Sequence, residues 1–218
     1  MQRQYNLSNK KGFADMIPAD VSLCRVSNTE KMRFYLENQD VVKGVSLCAT
    51  LQFSTCLLCA ALDGYVWRIP DEVESIAFPP LCENCRCVLL PVTELSEINS
   101  STRPAEASDF WWGAAVRYSK KYPGKDWRRL APSTRLKYYY SEQRLFEEET
   151  GHPAFDQVPQ TMNFSEWLRT KPEAVQDHYL GELRGKLFRR HNLNLIDFVE
   201  RATWTLLPQK TLLERYSK

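Results

Sequence analysis

The apolar positions of this chain change period several times, and each change marks an element. From residue 27 the spacing is helical. Ser27-Asn28-Thr29-Glu30 has the form of a capping box, Met32, Tyr35, Leu36 and Gln39 follow on one face, and Gly44 offers a stop. Val45 to Leu51 then alternates apolar with small or polar residues, as a half-buried strand does. Asp63-Gly64 predicts a two-residue hairpin, because a type I′ turn needs positive φ at both positions. Cys87 to Val92 reads as a closing strand, with Pro91 placing it at a sheet edge.

The last third breaks into short helices. Asn163 to Glu166 caps one, Pro172 opens the next, and Gly181 separates it from a third. Leu180, Leu183 and Leu187 form a stripe at three- and four-residue spacing, and Trp167 and Leu168 adjoin Phe164. Helices this short are unstable alone in water, so the stripe either folds back on residues 110–150 or serves as a docking surface. The pattern predicts an α+β fold: a small hairpin-and-sheet module stapled by metal, then a helical C-terminal region. Its expected divisions are an arm over 1–26, the module over 27–95, a Ser/Thr/Glu/Pro-rich linker over 96–108, a basic and aromatic helical segment over 109–150, and a short-helix region over 151–218.

With 218 residues, 43% of them apolar and 26% charged, the chain can bury a real core as one large domain or two small ones. A net charge of +2 means that any polyanion contact must rest on a local patch. The start lacks the apolar run of a secretory signal, and no stretch approaches the roughly 18 apolar residues of a membrane-spanning helix. Seven cysteines without an export signal fit reduced thiols or metal ligation better than disulfides.

Four of these cysteines form two C-x-x-C pairs, Cys56/Cys59 and Cys82/Cys85, with twenty-two residues between them. Each pair can turn two thiolates toward one ion, and two pairs complete the tetrahedral sulfur shell that Zn2+ prefers. Thiolate softness excludes Mg2+ and Ca2+, and a filled shell points to a structural ion. The competing reading is a set of reduced, buried thiols that only pack. Cys87 falls on the same face as Cys85 and is an alternative ligand, while Arg86 points to the other face. Cys24 and Cys48 have no ligand spacing and read as small buried hydrophobes.

Pro80 to Cys85 echoes half of a zinc-deaminase signature. No H-x-E or C-x-E lies upstream, and the first cysteine pair would fill the position that water needs. His152, His178 and His191 are isolated, and no nucleotide-binding glycine motif occurs. No catalytic constellation is expected.

Phe110 to Tyr140 carries eight cations, Arg117, Lys120, Lys121, Lys125, Arg128, Arg129, Arg135 and Lys137, against one acid, Asp126. Trp111, Trp112, Tyr118, Tyr122, Trp127 and Tyr138 to Tyr140 are interleaved with them. Cations neutralise phosphates and rings stack on unpaired bases, so the segment suits nucleic acid. Two other readings stand beside it: an amphipathic helical region with its rings in the core, and a dock for an acidic capsid or portal surface.

Two stretches resemble a known family, the phage Mu F-type minor head (head morphogenesis) proteins of tailed bacteriophages. The family runs through a V-K-G step, a strand ending in Thr, a C-x-x-C, an L-D-G turn, and a P-x-H-x-x-C-R-C segment leading to a V-P-V strand. Here the matching stretches are VKGVSLCATLQFSTCLLCAALDG and PPLCENCRCVLLPV. Further on, Trp167, Leu168, Gln176, Leu180, Gly181, Arg184 and Leu187 fall on the family's W-L-x-x-Q and Q-x-x-x-L-G-x-x-R-x-x-L run. Three departures stand out. The family's acid and arginine before the first pair are Gln52 and Ser54 here, its histidine is Cys82, and the long helical region usual ahead of the module is missing. The resemblance implies a virion structural protein without catalysis, assembled in the host cytoplasm into the phage head. Its expected partners are the portal or major capsid protein, with Trp167, Leu180 and Leu187 as docking residues, and packaged DNA. The alternative is a DNA-binding accessory protein of the head acting through residues 110–140.

Overall fold

The computed structural model describes residues 21–83, 85–94 and 101–216. Most of the expected arm, and residues 95–100 at the expected module–linker junction, lie outside these.

The first helix, α1, spans Val21–Glu37, so it starts six residues before the expected cap. Ser27 is mid-helix, and Glu30 pairs with Arg33 at 2.6 Å instead of capping. What fixes α1 is Asn28, whose side chain is fully buried. Its amide donates to the carbonyls of Cys24 (2.8 Å) and Cys87 (3.0 Å), and its Oδ1 accepts from the Leu89 amide at 2.8 Å. Tyr35, two turns on, donates to the Leu89 carbonyl at 3.2 Å.

The strand that Asn28 holds, β3 (Val88–Val92), is one edge of a three-stranded antiparallel sheet. The central strand is β1 (Gly44–Cys48) and the other edge is β2 (Val66–Arg68). The predicted alternation holds, with Val45 and Leu47 fully buried, and Pro91 sits on an edge as expected. Gly44 is required by the sheet, since a Cβ there would lie 2.7 Å from the Trp67 carbonyl oxygen.

The Asp63-Gly64 hairpin does not form. The apolar run before it is a helix, α2 (Leu57–Leu62), buried along Cys59 to Leu62. Asp63 caps its C-terminus at φ −62°, and Gly64 alone takes positive φ (+79°) before the chain enters β2. The β1–β2 pairing therefore closes through a helix.

The expected linker is likewise structured over its described part. Thr102–Glu106 forms β4, antiparallel to β5 (Phe155–Pro159). Its polar composition suggests solvent, yet Arg103 is buried because every charge it brings in is matched. It pairs with Asp63 at 3.1 Å and donates to the carbonyls of Ala49 and Met162.

Two helices, α3 (Phe110–Lys121) and α4 (Pro132–Thr150), form an antiparallel hairpin around a small core of Phe110, Trp111, Ala114, Tyr118, Trp127 and Tyr139. The rest of the chain supplies α5 (Phe164–Arg169), α6 (Glu173–Leu180), α7 (Glu182–Arg190), the short ladder β6–β7 (Val199–Glu200, Thr205–Leu206) and α8 (Gln209–Tyr216). Asn163 and Glu166 make the predicted capping box on α5, and Gly181 at φ +79° separates α6 from α7.

These elements enter the same core as the sheet and α2. Trp167 packs against Phe53 and Phe164, each at 4.8 Å between ring centroids, and Trp204 lies 5.4 Å from Trp67. Trp167, Leu180 and Leu187 are therefore interior residues, 2%, 3% and 7% exposed, rather than docking anchors. The C-terminal stripe folds neither outward nor onto residues 110–150. It covers the cysteine-bearing module.

Candidate metal centre

The first cysteine pair is built by the start of α2. Cys56 is the N-cap, its Sγ accepting the Cys59 amide at 3.4 Å, so one helical turn sets both sulfurs on one side. The second pair rests on a turn closed by the Cys85 amide and the Cys82 carbonyl at 3.2 Å. The chain then leads into β3, and Cys85 and Cys87 are both buried, 1% and 2% exposed. Arg86 faces the other way and donates to Gln52 at 3.4 Å.

The two pairs meet. Cys59 Sγ lies 3.9 Å from Cys82 Sγ and 3.8 Å from Cys85 Sγ. A tetrahedral shell with metal–sulfur bonds near 2.3 Å has edges of about 3.8 Å, whereas a disulfide brings its sulfurs to about 2.0 Å. All seven cysteines are free thiols. Two triads have every sulfur within 4.8 Å of the others, Cys56/Cys59/Cys82 and Cys59/Cys85/Cys87. Cys59 belongs to both, and the site offers five sulfurs where the spacing of the pairs indicates four. Cys24 and Cys48 stand outside both triads and are half-buried. Gln160 donates to Cys48 at 3.6 Å, and burial raises the Cys24 thiol to about 11.

Five crowded thiols cannot all ionise. Hydrogen bonding with Cys59 holds Cys56 well below the usual thiol range, and the same neighbour lowers Cys85. Cys59 is correspondingly raised, first by its contact with Cys56, and Cys82 is raised by the same residue. At Cys87 the lowering by Cys59 is outweighed by Cys85 and by burial, and that thiol is raised as well. The crowding thus favours the thiolate at Cys56 and Cys85 and the thiol at Cys59, Cys82 and Cys87. A cation is what lets the remaining thiols ionise.

Tyr179 of α6 closes the site, donating to the Thr55 carbonyl at 2.7 Å just before the first pair and lying 6.0 Å from Phe53 between ring centroids. Sequence spacing singled out Cys56, Cys59, Cys82 and Cys85, and the structure sets the first three in one triad and Cys85 in the other, with Cys59 common to both. The spacing assigned Cys87 only an alternative role, and Tyr179, distant in the chain, carried no signal.

The basic segment divides. Four of its rings, Trp111, Tyr118, Trp127 and Tyr139, are buried, Trp112, Tyr122 and Tyr138 are half-buried, and Tyr140 is exposed. Arg117 pairs with Glu142 at 2.5 Å, and Arg135 is half-buried. Lys120, Lys121, Lys125, Arg128, Arg129 and Lys137 are exposed, and among the described residues none of the six makes an ion pair.

Fold and site together define an α+β protein with a cysteine cluster able to hold a metal ion. No family model, no curated protein and no solved structure matches the chain.

Proposed function

We propose that the chain is a zinc-stapled structural component of a tailed-phage head, acting in capsid or portal assembly without catalysis. Support for the metal comes from one observation above the rest, the convergence of both C-x-x-C pairs at sulfur–sulfur separations of 3.8 and 3.9 Å. Thiolates suit Zn2+ and are poor ligands for oxygen-seeking ions, and four of them leave no position for a reactive water. Cys56, Cys59, Cys82 and Cys85 would hold the ion. Its chemistry would be charge neutralisation and cross-linking of α2 to the turn ahead of β3. Support for the head assignment comes from the order and spacing of the family-like motifs, and with it come a virion location, assembly in the host cytoplasm and a portal or major capsid partner.

Protein purified without chelator should carry about one zinc per chain. The tagged protein should sediment with empty heads or portal rings from infected cells. A metal-free, fully folded protein would remove the zinc. Absence from particles would remove the head assignment and leave the metal centre standing. The alternative, a DNA-binding accessory protein, draws on a different observation, the six unpaired cations of the α3–α4 hairpin.

A further inference from the structure

We infer that the tip of the α3–α4 hairpin binds the phosphate backbone of double-stranded nucleic acid without reading bases. It rests on the DNA-contact reading of this hairpin and is independent of the metal centre. Four rings knit the tip together. Tyr118 lies 5.0 Å from Tyr122, 5.7 Å from Trp127 and 5.6 Å from Tyr138, and Trp127 lies 5.7 Å from Tyr138. Each of the six exposed cations is within two residues of one of these rings in sequence. The aromatic cluster therefore gathers Lys120, Lys121, Lys125, Arg128, Arg129 and Lys137 at one end of the hairpin. Asp126 is the lone acid there, and its carboxylate accepts the Arg128 amide at 2.9 Å.

What this surface lacks selects the partner. Protein interfaces depend on buried apolar or aromatic anchors. Among the described residues, no large apolar side chain from 117 to 139 is exposed, Val116 and Tyr140 being the nearest. Single strands are held by stacking on open rings. Here Tyr118 and Trp127 are 6% and 4% exposed, and half-buried Tyr122 is flanked by the ammonium groups of Lys121 and Lys125 at 5.5 and 5.3 Å. At the tip the cations are exposed while the four rings are buried or half-buried, which fits a duplex backbone held by charge.

The test is fluorescence anisotropy of the intact protein with a duplex of roughly 25 base pairs across a salt series. Four to six phosphate contacts give a log–log salt slope of roughly −3.6 to −5.4, with affinity independent of base sequence. The pairs Lys120→Gln/Lys121→Gln and Arg128→Gln/Arg129→Gln should each flatten the slope by about 2 and weaken binding at least tenfold at about 50 mM salt. Lys186→Gln, on a lysine paired with Glu182 outside the hairpin, should change neither. Melting curves and metal content establish that each variant is folded. The proposal is overturned if the duplex does not bind at low salt, or if both double variants bind as the parent does. It is equally overturned if single strands, polyglutamate or anionic vesicles bind more tightly than the duplex. None of these results touches the zinc assignment.

Discussion

Cys59 is the sulfur common to both triads, and its Sγ is enclosed by the other four thiols. Its replacement by Ser breaks either arrangement of ligands. Cys87→Ser leaves both C-x-x-C pairs intact, and Cys24→Ser removes a thiol outside both triads. Metal binding energy is also folding energy, about 10–16 kcal/mol in zinc-finger peptides. Cys59→Ser should therefore abolish bound metal and lower stability by several kcal/mol, as should Cys82→Ser. Cys87→Ser should keep one ion, and Cys24→Ser should cost about 1 kcal/mol. Equal melting shifts for Cys59→Ser and Cys24→Ser would contradict a metal role.

A second residue gives a pH signature. Glu106 is fully buried, accepting the Phe53 amide and the Tyr139 hydroxyl at 2.8 Å each, and burial pushes its carboxyl from 4.5 up to about 8. A raised acid holds its proton when folded and loses it when unfolded. Its stabilisation is complete below about pH 4.5 and drains away as pH rises to about 8, then levels off. Glu106→Gln removes the titration: its amide oxygen can still accept the Phe53 amide, and its NH2 can face the Tyr139 hydroxyl only as a donor. Between pH 5 and 8 the parent should lose melting temperature relative to this variant, by on the order of a few kcal/mol in stability. Parallel pH profiles would refute it.

At the scale of elements, what the sequence makes legible is what neighbours along the chain decide. The β1 alternation, the α5 capping box, the glycine between α6 and α7, and Pro91 at an edge all follow from local sterics and hydrogen bonding. The misread elements are those that distant partners decide. Ser27-x-x-Glu30 has the letters of a cap, but the buried amide of Asn28 ties the preceding turn to β3 and the helix runs through it. Asp63-Gly64 has the letters of a hairpin, but the Asp63 carboxylate is committed to Arg103, forty residues on, and to the Ala49 amide. Arg103 in turn makes a strand of a segment whose composition resembles a linker. Asn28→Ala tests this directly, since it leaves the Leu89 amide without its side-chain partner and the Cys87 carbonyl with only the weak Cys24 thiol at 3.6 Å. It should cost about 2–3 kcal/mol and free the N-terminal turns of α1 to exchange, while a surface change such as Arg33→Ala should cost under about 0.5 kcal/mol. Hydrogen exchange that leaves α1 as protected as in the parent would show that Asn28 is not the tie.

Over the whole molecule, the cysteine module and the C-terminal helices share one hydrophobic core. The pattern of Leu180, Leu183 and Leu187 correctly announces a face that needs covering, but not what covers it, because a stripe carries no address. The structure supplies the address. Phe53, next to the first cysteine pair, meets Trp167 of α5, and Tyr179 of α6 reaches the Thr55 carbonyl. Metal retention and helix packing should then be linked. Trp167→Ala would open a cavity against Phe53 and Phe164, with a cost of about 3–5 kcal/mol. The loss should fall on the module as well as the helices, so the variant should melt in one transition and surrender its metal to a chelator faster than the parent. Chelating the parent should likewise loosen α5 and α6, read as a change in tryptophan emission together with lost helical signal. A docking role for Trp167 predicts the opposite, a stable variant with parental metal retention and a defect confined to particle incorporation. A Trp167→Ala protein that melts and holds metal as the parent does would separate the helices from the module and return the anchor to the surface. The 2% exposure of that ring in the monomer argues for the coupled outcome.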